Sequence, residues 1–324
     1  MKHYSRLFAL ALLIAFLINP CTHAQTRDGA ATVEPHHGWP DALILSNGKV
    51  EVVVVPAIGR IMQFRFSGED GVFWENPALF GKVHEPNPRA WVNFGGDKTW
   101  PAPEAAWPKP YGGWLPPAAF DSLPVEASVD KGVVTLTSPV DPDYGIRTRR
   151  RITLDRKKPV MTVVTTYEKV AGEPQKVGVW IITQLADPLG VYVPLPPTGI
   201  FAAGYHPLGV VPPSLKNEAG LLSLARNPAG AHKIGTDANT LLWVGDKYML
   251  RIDSPRVPGA EYPDGGSSAE VYTNPDPLKY VELEMLGPLK MLQVGQQLSQ
   301  TNTYTLIRRT QKSPETEARK ILGR

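Results

Sequence analysis

Proline and glycine punctuate this chain from end to end: 33 prolines and 29 glycines are spread over 324 residues without a fixed period. An interior proline removes a backbone donor and clashes with the preceding helical turn, so long helices are excluded over most of the sequence. No Gly-X-Y period marks collagen and no repeat of 20 to 50 residues marks a propeller or solenoid. What the punctuation separates is short β-rich runs at 42–45, 50–55, 61–66, 125–130, 133–137, 146–154, 160–168, 177–185, 241–244, 248–252, 269–273, 280–286 and 301–308. Most alternate with a period of two, and Asn47-Gly48 between the first two runs is a strong hairpin signal. Many strands without βαβ alternation predict an all-β sandwich. The four valines 52–55 predict a strand buried on both faces. Only residues 313–322 read as helix, with Ser313 at the cap, Pro314 in the first turn and acids before bases.

With 34 basic against 31 acidic residues, the net charge of +3 is too small for a polyanion-binding field, so no nucleic-acid partner is expected. Residues 1–24 place Lys2 and Arg6 ahead of the apolar stretch 7–18 and end on Ala24, the layout of a signal peptide cleaved after Ala24. That apolar run is too short to span a bilayer, so no transmembrane segment is expected after cleavage, and the protein is expected to be periplasmic or secreted. Cleavage also removes Cys21, the single cysteine, and with it disulfide and thiol chemistry. The expected organisation is a signal peptide at 1–24, a sandwich domain at 25–310 and a helical tail at 311–324.

Two constellations carry candidate chemistry. In Asn93-Phe94-Gly95-Gly96-Asp97-Lys98-Thr99-Trp100-Pro101, read as a proline-braced loop, Asp97 and Lys98 offer hydrogen bonds to hydroxyls. Trp100 offers an apolar face with a polar edge, a pairing that suits a sugar ring. Trp91, Trp107 and Trp114 fall in the same irregular stretch, 80–123. The expected substrate-binding set is Asn93, Asp97, Lys98, Trp100, Trp107, Trp114, Glu270 and Tyr272; the alternative is that the tryptophans merely plug one end of the sandwich.

The second constellation is the pair of alternating runs 268–273 and 279–286. Pairing Thr273 with Lys279 would set Glu270 opposite Glu282, with Glu284 on the same face. Facing carboxylates call for a cation, a shared proton or a solvent-facing surface. Glu270 and Glu282 are therefore weak calcium candidates, with a salt bridge to a base such as Lys98 placed slightly ahead. No other cofactor is expected. The row Arg147, Arg149 and Arg151 reads as a solvated strand face. His36-His37, near the expected mature N-terminus, reads as flexible or packing rather than as a metal site, and His84-Glu85 before Pro86 is no helical zinc motif.

The stretch Asn47-Gly48-Lys49-Val50-Glu51-Val52-Val53-Val54-Val55-Pro56-Ala57-Ile58-Gly59-Arg60-Ile61 resembles the opening hairpin of galactose-mutarotase-like proteins. Glu282-Leu283-Glu284-Met285-Leu286-Gly287-Pro288, Leu292-Gln293-Val294-Gly295-Gln296 and the run 301–308 resemble their closing strands. With Gly95-Gly96-Asp97-Lys98-Thr99-Trp100-Pro101-Ala102-Pro103 the chain resembles an exported bacterial branch of that superfamily. The resemblance implies a β-supersandwich with a carbohydrate site on its concave face, a glutamate base near the C-terminus and a histidine acid on a central strand. Glu284 and Glu282 are the candidate bases. The matching central strand, Val179-Trp180-Ile181-Ile182-Thr183-Gln184-Leu185, has no histidine, so Lys98, His84 or His206 would have to act as the acid. The expected function is carbohydrate or glycan binding, alone or with sugar-directed chemistry of an aldose 1-epimerase or sugar lyase type. A non-catalytic envelope module is the alternative of another class.

Overall fold

The computed structural model describes residues 31–85, 90–108 and 114–324. The expected signal segment lies outside them. Two antiparallel sheets face each other, as the punctuated strand pattern requires. The larger runs in the order Ala31–His36, Trp39–Ser46, Val50–Val55, Arg60–Phe66, Asp97–Ala102, Gln175–Ala186, Tyr280–Leu286, Ala269–Thr273, His232–Thr236 and His206–Pro207. The other runs Lys216–Glu218, Leu221–Leu224, Gly190–Pro194, Thr240–Val244, Tyr248–Asp253, Gln297–Arg308, Val160–Lys169, Ile146–Leu154, Val133–Val140 and Glu126–Asp130.

Alternation supplies the core between the sheets. Val52, Val54, Ile61, Leu283 and Val271 from the larger sheet meet Val134, Ile152, Val163, Leu250 and Leu306 from the other. Each fully buried aliphatic side chain contributes about 1.5–3 kcal/mol, so the interior needs no disulfide. At the Asn47-Gly48 hairpin, Asn47 Oδ1 accepts from the backbone N–H of Lys49 and Val50, each at 2.9 Å, while Gly48 takes the positive φ of 81° that the turn requires.

The outer face of the larger sheet is divided. Over its first half, Phe94, Leu79, Phe80 and Val92 cover Trp39, Ile44, Val53, Val55 and Met62. This is why the four valines are buried on both faces. Over its second half, from Asp97–Ala102 to His232–Thr236, the same face carries charged and aromatic side chains.

Two sequence expectations are corrected. Asp97–Ala102 is a central strand and not a loop; Pro101 fits because its free carbonyl accepts from Trp107 Nε1 at 2.7 Å. Gly95 and Gly96 serve the protein's own backbone: a Cβ on Gly95 would lie 2.3 Å from the Trp74 carbonyl, and one on Gly96 2.5 Å from that of Ile61. The helix Pro314–Leu322 forms as expected, capped by Ser313 Oγ accepting from Thr316 N. It lies against Tyr192, Leu242 and Met249 of the second sheet and is held by an Arg309–Glu317 ion pair at 2.9 Å. No helix among the described residues is long and apolar enough to cross a membrane.

Candidate functional site

Strand register builds three rows of side chains on the second half of that face. The first row runs Glu270, Glu284, Ile182, Lys98 across four strands. The second runs Lys233, Tyr272, Glu282, Gln184. The third places Trp100 beside Trp180 and Leu286. Because strand residues alternate, Asp97 and Thr99 point the opposite way, between the sheets.

Lys98 is fully buried, 3.7 Å from Glu282 Oε1 and over the faces of Trp100 and Trp91 at 4.7 and 5.4 Å. Among the described residues its ammonium has no hydrogen-bond acceptor. Burial lowers its pKa to about 8 from the ordinary 10.5, only partly opposed by Glu282. Gln184 Nε2 donates to the same Glu282 oxygen at 2.9 Å, and burial, followed by the opposing pull of Lys98 and the push of Glu284, raises the Glu282 carboxyl.

Lys233 lies 2.8 Å from Glu270 Oε2 and 3.0 Å from Glu284 Oε2, with Trp180 4.7 Å beneath its ammonium. Burial acts to lower its pKa, but Glu284 and Glu270 overcome this and raise it. Burial pushes Glu270 well up and Tyr272 to about 12. Three carboxylates thus face two ammonium groups in a nearly dry patch, an arrangement that favours retention of one proton. Lys98 Nζ, Glu284 Oε1, Glu270 Oε1 and Gln184 Oε1 are buried without a hydrogen-bond partner among the described residues.

Five tryptophans wall one end. Trp100 meets Trp91, Trp107, Trp114 and Trp180 edge to face, with centroids 5.2 to 5.7 Å apart. Trp100 Nε1 donates to Asp121 Oδ1 at 2.9 Å, and Arg60 joins the same oxygen at 2.8 Å. Trp100 and Trp107 are buried members of the wall, whereas Trp114 is 46% exposed.

The structure therefore gathers Lys98, Trp100, Trp107, Trp114, Glu270, Tyr272, Glu282 and Glu284 in one place. Asn93 is buried on the segment leading into the Asp97–Ala102 strand, where its Oδ1 accepts from the Gly95 N–H at 3.2 Å. Asp97 does not belong to the gathered set. It is fully buried between the sheets, paired with Arg150 and accepting from Thr183 Oγ1 and Tyr304 OH, each at 2.7 Å.

The carboxylate register is also corrected. Asn274 pairs back to Tyr280 and its amide binds the Leu278 carbonyl, so the turn takes up two more residues and Thr273 meets Val281. Glu270 consequently faces Glu284, not Glu282, and the cation between them is Lys233. This leaves the Glu270 and Glu282 pair without the geometry of a calcium site, while the Lys98 to Glu282 ion pair forms as expected.

Lys233, Trp180 and Gln184 escaped sequence reasoning. Trp180 and Gln184 alternate on a strand already recognised, a readable signal; Lys233 sits on a short strand with no distinct pattern. Arg149 and Arg151 are exposed, as a solvated face predicts. His84 bonds Ser122 Oγ at 2.9 Å and lines a cavity of about 300 Å³ with Trp91, Leu115, Pro117, Asp121 and Asp143, outside the lysine and carboxylate group. His206 stands in register beyond Glu270, paired through Gly235, its ring stacked on Phe201.

No protein-family model matches the sequence, and no curated protein matches it. The fold is similar to that of a galactose mutarotase related enzyme from Lactobacillus acidophilus, with a TM-score of 0.52 and 10% identity over 83% of this chain and 97% of that one. It is similar also to a galactose mutarotase-like protein from Clostridium acetobutylicum, with a TM-score of 0.54 and 8% identity over 87% and 99%. A TPR-domain containing protein from Parabacteroides distasonis gives a TM-score of 0.55 and 13% identity over 84% of this chain and 48% of that protein, so this chain spans about half its length. At such identities the likeness is one of fold: a galactose mutarotase-like β-sandwich, with the charged and aromatic rows on the outer face of its larger sheet.

Proposed function

We propose that the concave face binds a carbohydrate and that its lysine and carboxylate cluster moves protons on the bound sugar. The observation that carries this reading is the set of polar atoms buried without a partner among the described residues, Lys98 Nζ, Glu284 Oε1 and Gln184 Oε1, beside a tryptophan wall. Leaving such atoms without partners costs about 1–3 kcal/mol each, and sugar hydroxyls would satisfy them. Trp114, Trp91 and Tyr272 offer the partly exposed apolar surface on which a pyranose C–H face rests.

The nearest reaction is opening and reclosing of an aldose ring. The Glu284 carboxylate takes the anomeric hydroxyl proton, the C1 to ring-oxygen bond breaks, and the Lys98 ammonium protonates the ring oxygen. Reclosure reverses the two transfers, so no redox change is needed. Lys98 takes the acid role because the central strand carries Trp180, Ile182 and Gln184 on this face where a histidine would be needed. A sugar lyase would use the same two partners, with abstraction from carbon. The residues of Lys98 and Glu284 suit both. Export to the periplasm or beyond rests on the pattern of residues 1–24.

Binding to a panel of mono- and oligosaccharides, followed by tryptophan fluorescence, tests the recognition step; polarimetry on the binders tests ring opening. Binding that persists in Trp114→Ala with unchanged affinity would overturn the site. Binding without turnover would leave a recognition module. Silence across the panel, with the tryptophans serving only as packing, would favour an envelope interaction module.

A further inference from the structure

We propose that His36, His37 and Glu75 form a binding site for one divalent transition-metal ion, with zinc the best fit, at the sheet edge away from the concave cluster. The proposal is independent of the carbohydrate reading.

Consecutive strand residues point to opposite faces, so two adjacent histidines do not ordinarily share a ligand. Here the Ala31–His36 strand turns at His37 and Gly38, both with positive φ, 45° and 89°. Left-handed backbone at a histidine is uncommon and costs roughly 1 kcal/mol. Its effect is to bring the two rings to 4.2 Å between centroids, both directed at one carboxylate. His36 Nε2 lies 2.7 Å from Glu75 Oε1, and His37 Nε2 lies 3.5 Å from Glu75 Oε2. One ligand atom from each of the three residues falls within 4.8 Å of the others.

Zinc bound at about 2.0–2.1 Å to tetrahedral N and O ligands sets neighbouring ligand atoms roughly 3.3 Å apart. The His37 to Glu75 spacing meets that at Oε2, and the His36 to Glu75 hydrogen bond at Oε1 has to lengthen by about 0.6 Å, so the ion would engage the carboxylate through both oxygens. The ion then replaces the hydrogen between them, and the imidazole carries its own on Nδ1.

The surroundings are those of a supported metal site. His36 is buried and Glu75 nearly so, with Gln63 Nε2 3.4 Å from Glu75 Oε2 and itself fixed by the Phe73 backbone. His37 is held by stacking on Phe80, centroids 4.1 Å apart and planes at 2°, while 43% of its side chain stays exposed. Ligand identity, two imidazoles and one carboxylate, suits zinc, copper or nickel over calcium or magnesium. Bound metal would clamp the first hairpin to the segment that carries Trp74, whose ring packs 4.6 Å from Tyr280 at the border of the concave face.

Titration of the full chain with cobalt(II), read by visible absorption, and competition by zinc decide the matter. One cobalt per chain with the intense bands of a four-coordinate site is expected, and zinc should displace it and raise the melting midpoint. His37→Asn keeps a residue that tolerates left-handed backbone, and Glu75→Gln keeps the shape of the carboxylate. Each should weaken metal binding at least about tenfold and abolish the zinc-induced rise in melting midpoint. Stoichiometric binding of wild-type affinity in both variants, or no stoichiometric binding by the wild type, would overturn the proposal.

Discussion

Glu284 Oε2 accepts from Trp180 Nε1 at 2.7 Å and from Lys233 at 3.0 Å, while its other oxygen, buried, accepts from nothing among the described residues. One oxygen is thus fixed and the other keeps hydrogen-bonding capacity that the described residues leave unused. Glu284→Gln keeps the shape but removes the charge that faces Lys233 and the proton-accepting oxygen. Turnover of any sugar substrate should fall by about 10² or more, with binding reduced less. Steady-state polarimetry and fluorescence titration separate the two; wild-type turnover in this variant and in Glu282→Gln would remove both from the chemistry.

Lys98 should titrate near 8 and not near 10.5. The unfolded chain then binds more protons than the folded one between those values. Burial of the charged ammonium therefore weakens the fold below pH 8, and stability from this group rises as pH goes from 8 toward 10.5. If Lys98 is the acid, turnover declines as pH rises through about 8. The Lys98 side-chain resonance, assigned by its loss in Lys98→Met, gives the midpoint directly; a midpoint above 10 would contradict the buried setting.

Calcium should leave the melting midpoint of the wild type unchanged over a millimolar range, because the Lys233 ammonium already lies between Glu270 and Glu284. In Lys233→Met the two carboxylates face each other uncompensated. At 4 Å and an effective dielectric of 20 their repulsion is about 4 kcal/mol. That variant should melt lower and regain stability with added calcium. A calcium-induced rise in the wild type would show the carboxylates exchanging lysine for the ion.

Asp97→Asn should act on the fold and not on recognition. It leaves the buried Arg150 guanidinium without its counter-charge, a loss of about 3–5 kcal/mol. Denaturant unfolding measures this; sugar affinity of the folded fraction should stay within about twofold of wild type, since no side chain bonded to Asp97 lies on the concave face.

Trp114→Ala should weaken sugar binding by about 1–2 kcal/mol while the melting midpoint holds, because this ring is nearly half exposed. Trp100→Ala should lose both, since its buried ring carries the Asp121 hydrogen bond and the packing of four other indoles. Equal losses of stability in the two would place Trp114 in the packing.

The sandwich was legible because alternation and turn chemistry are local: Asn47-Gly48, Val160–Lys169 and Tyr280–Leu286 declare themselves in a few residues. The site was legible in its residue types and illegible in its facing. Pro101 and the paired glycines read as loop chemistry, yet the carbonyl of Pro101 and the close approach of Gly95 and Gly96 to neighbouring backbone fit a central strand. A two-residue error in the turn after Thr273 exchanged the partner of Glu270, since register depends on how Asn274 folds the loop. Lys233 was unreadable because its partners lie 37 and 51 positions away, and nothing near it in sequence signals them.

In the Asp97–Ala102 strand, Asp97 and Thr99 tie inward to Arg150 and Tyr167 while Lys98 and Trp100 face the other side of the sheet. The spacing of Lys98 and Trp100 is therefore a property of the ladder, with each outward group flanked by an interior anchor one residue away. The covering segments at 77–85, 90–94, 103–108 and 114–123 lie outside that ladder. Backbone register sets the distances among Lys98, Glu282 and Glu284, so substitutions confined to the covering segments should leave those distances in place.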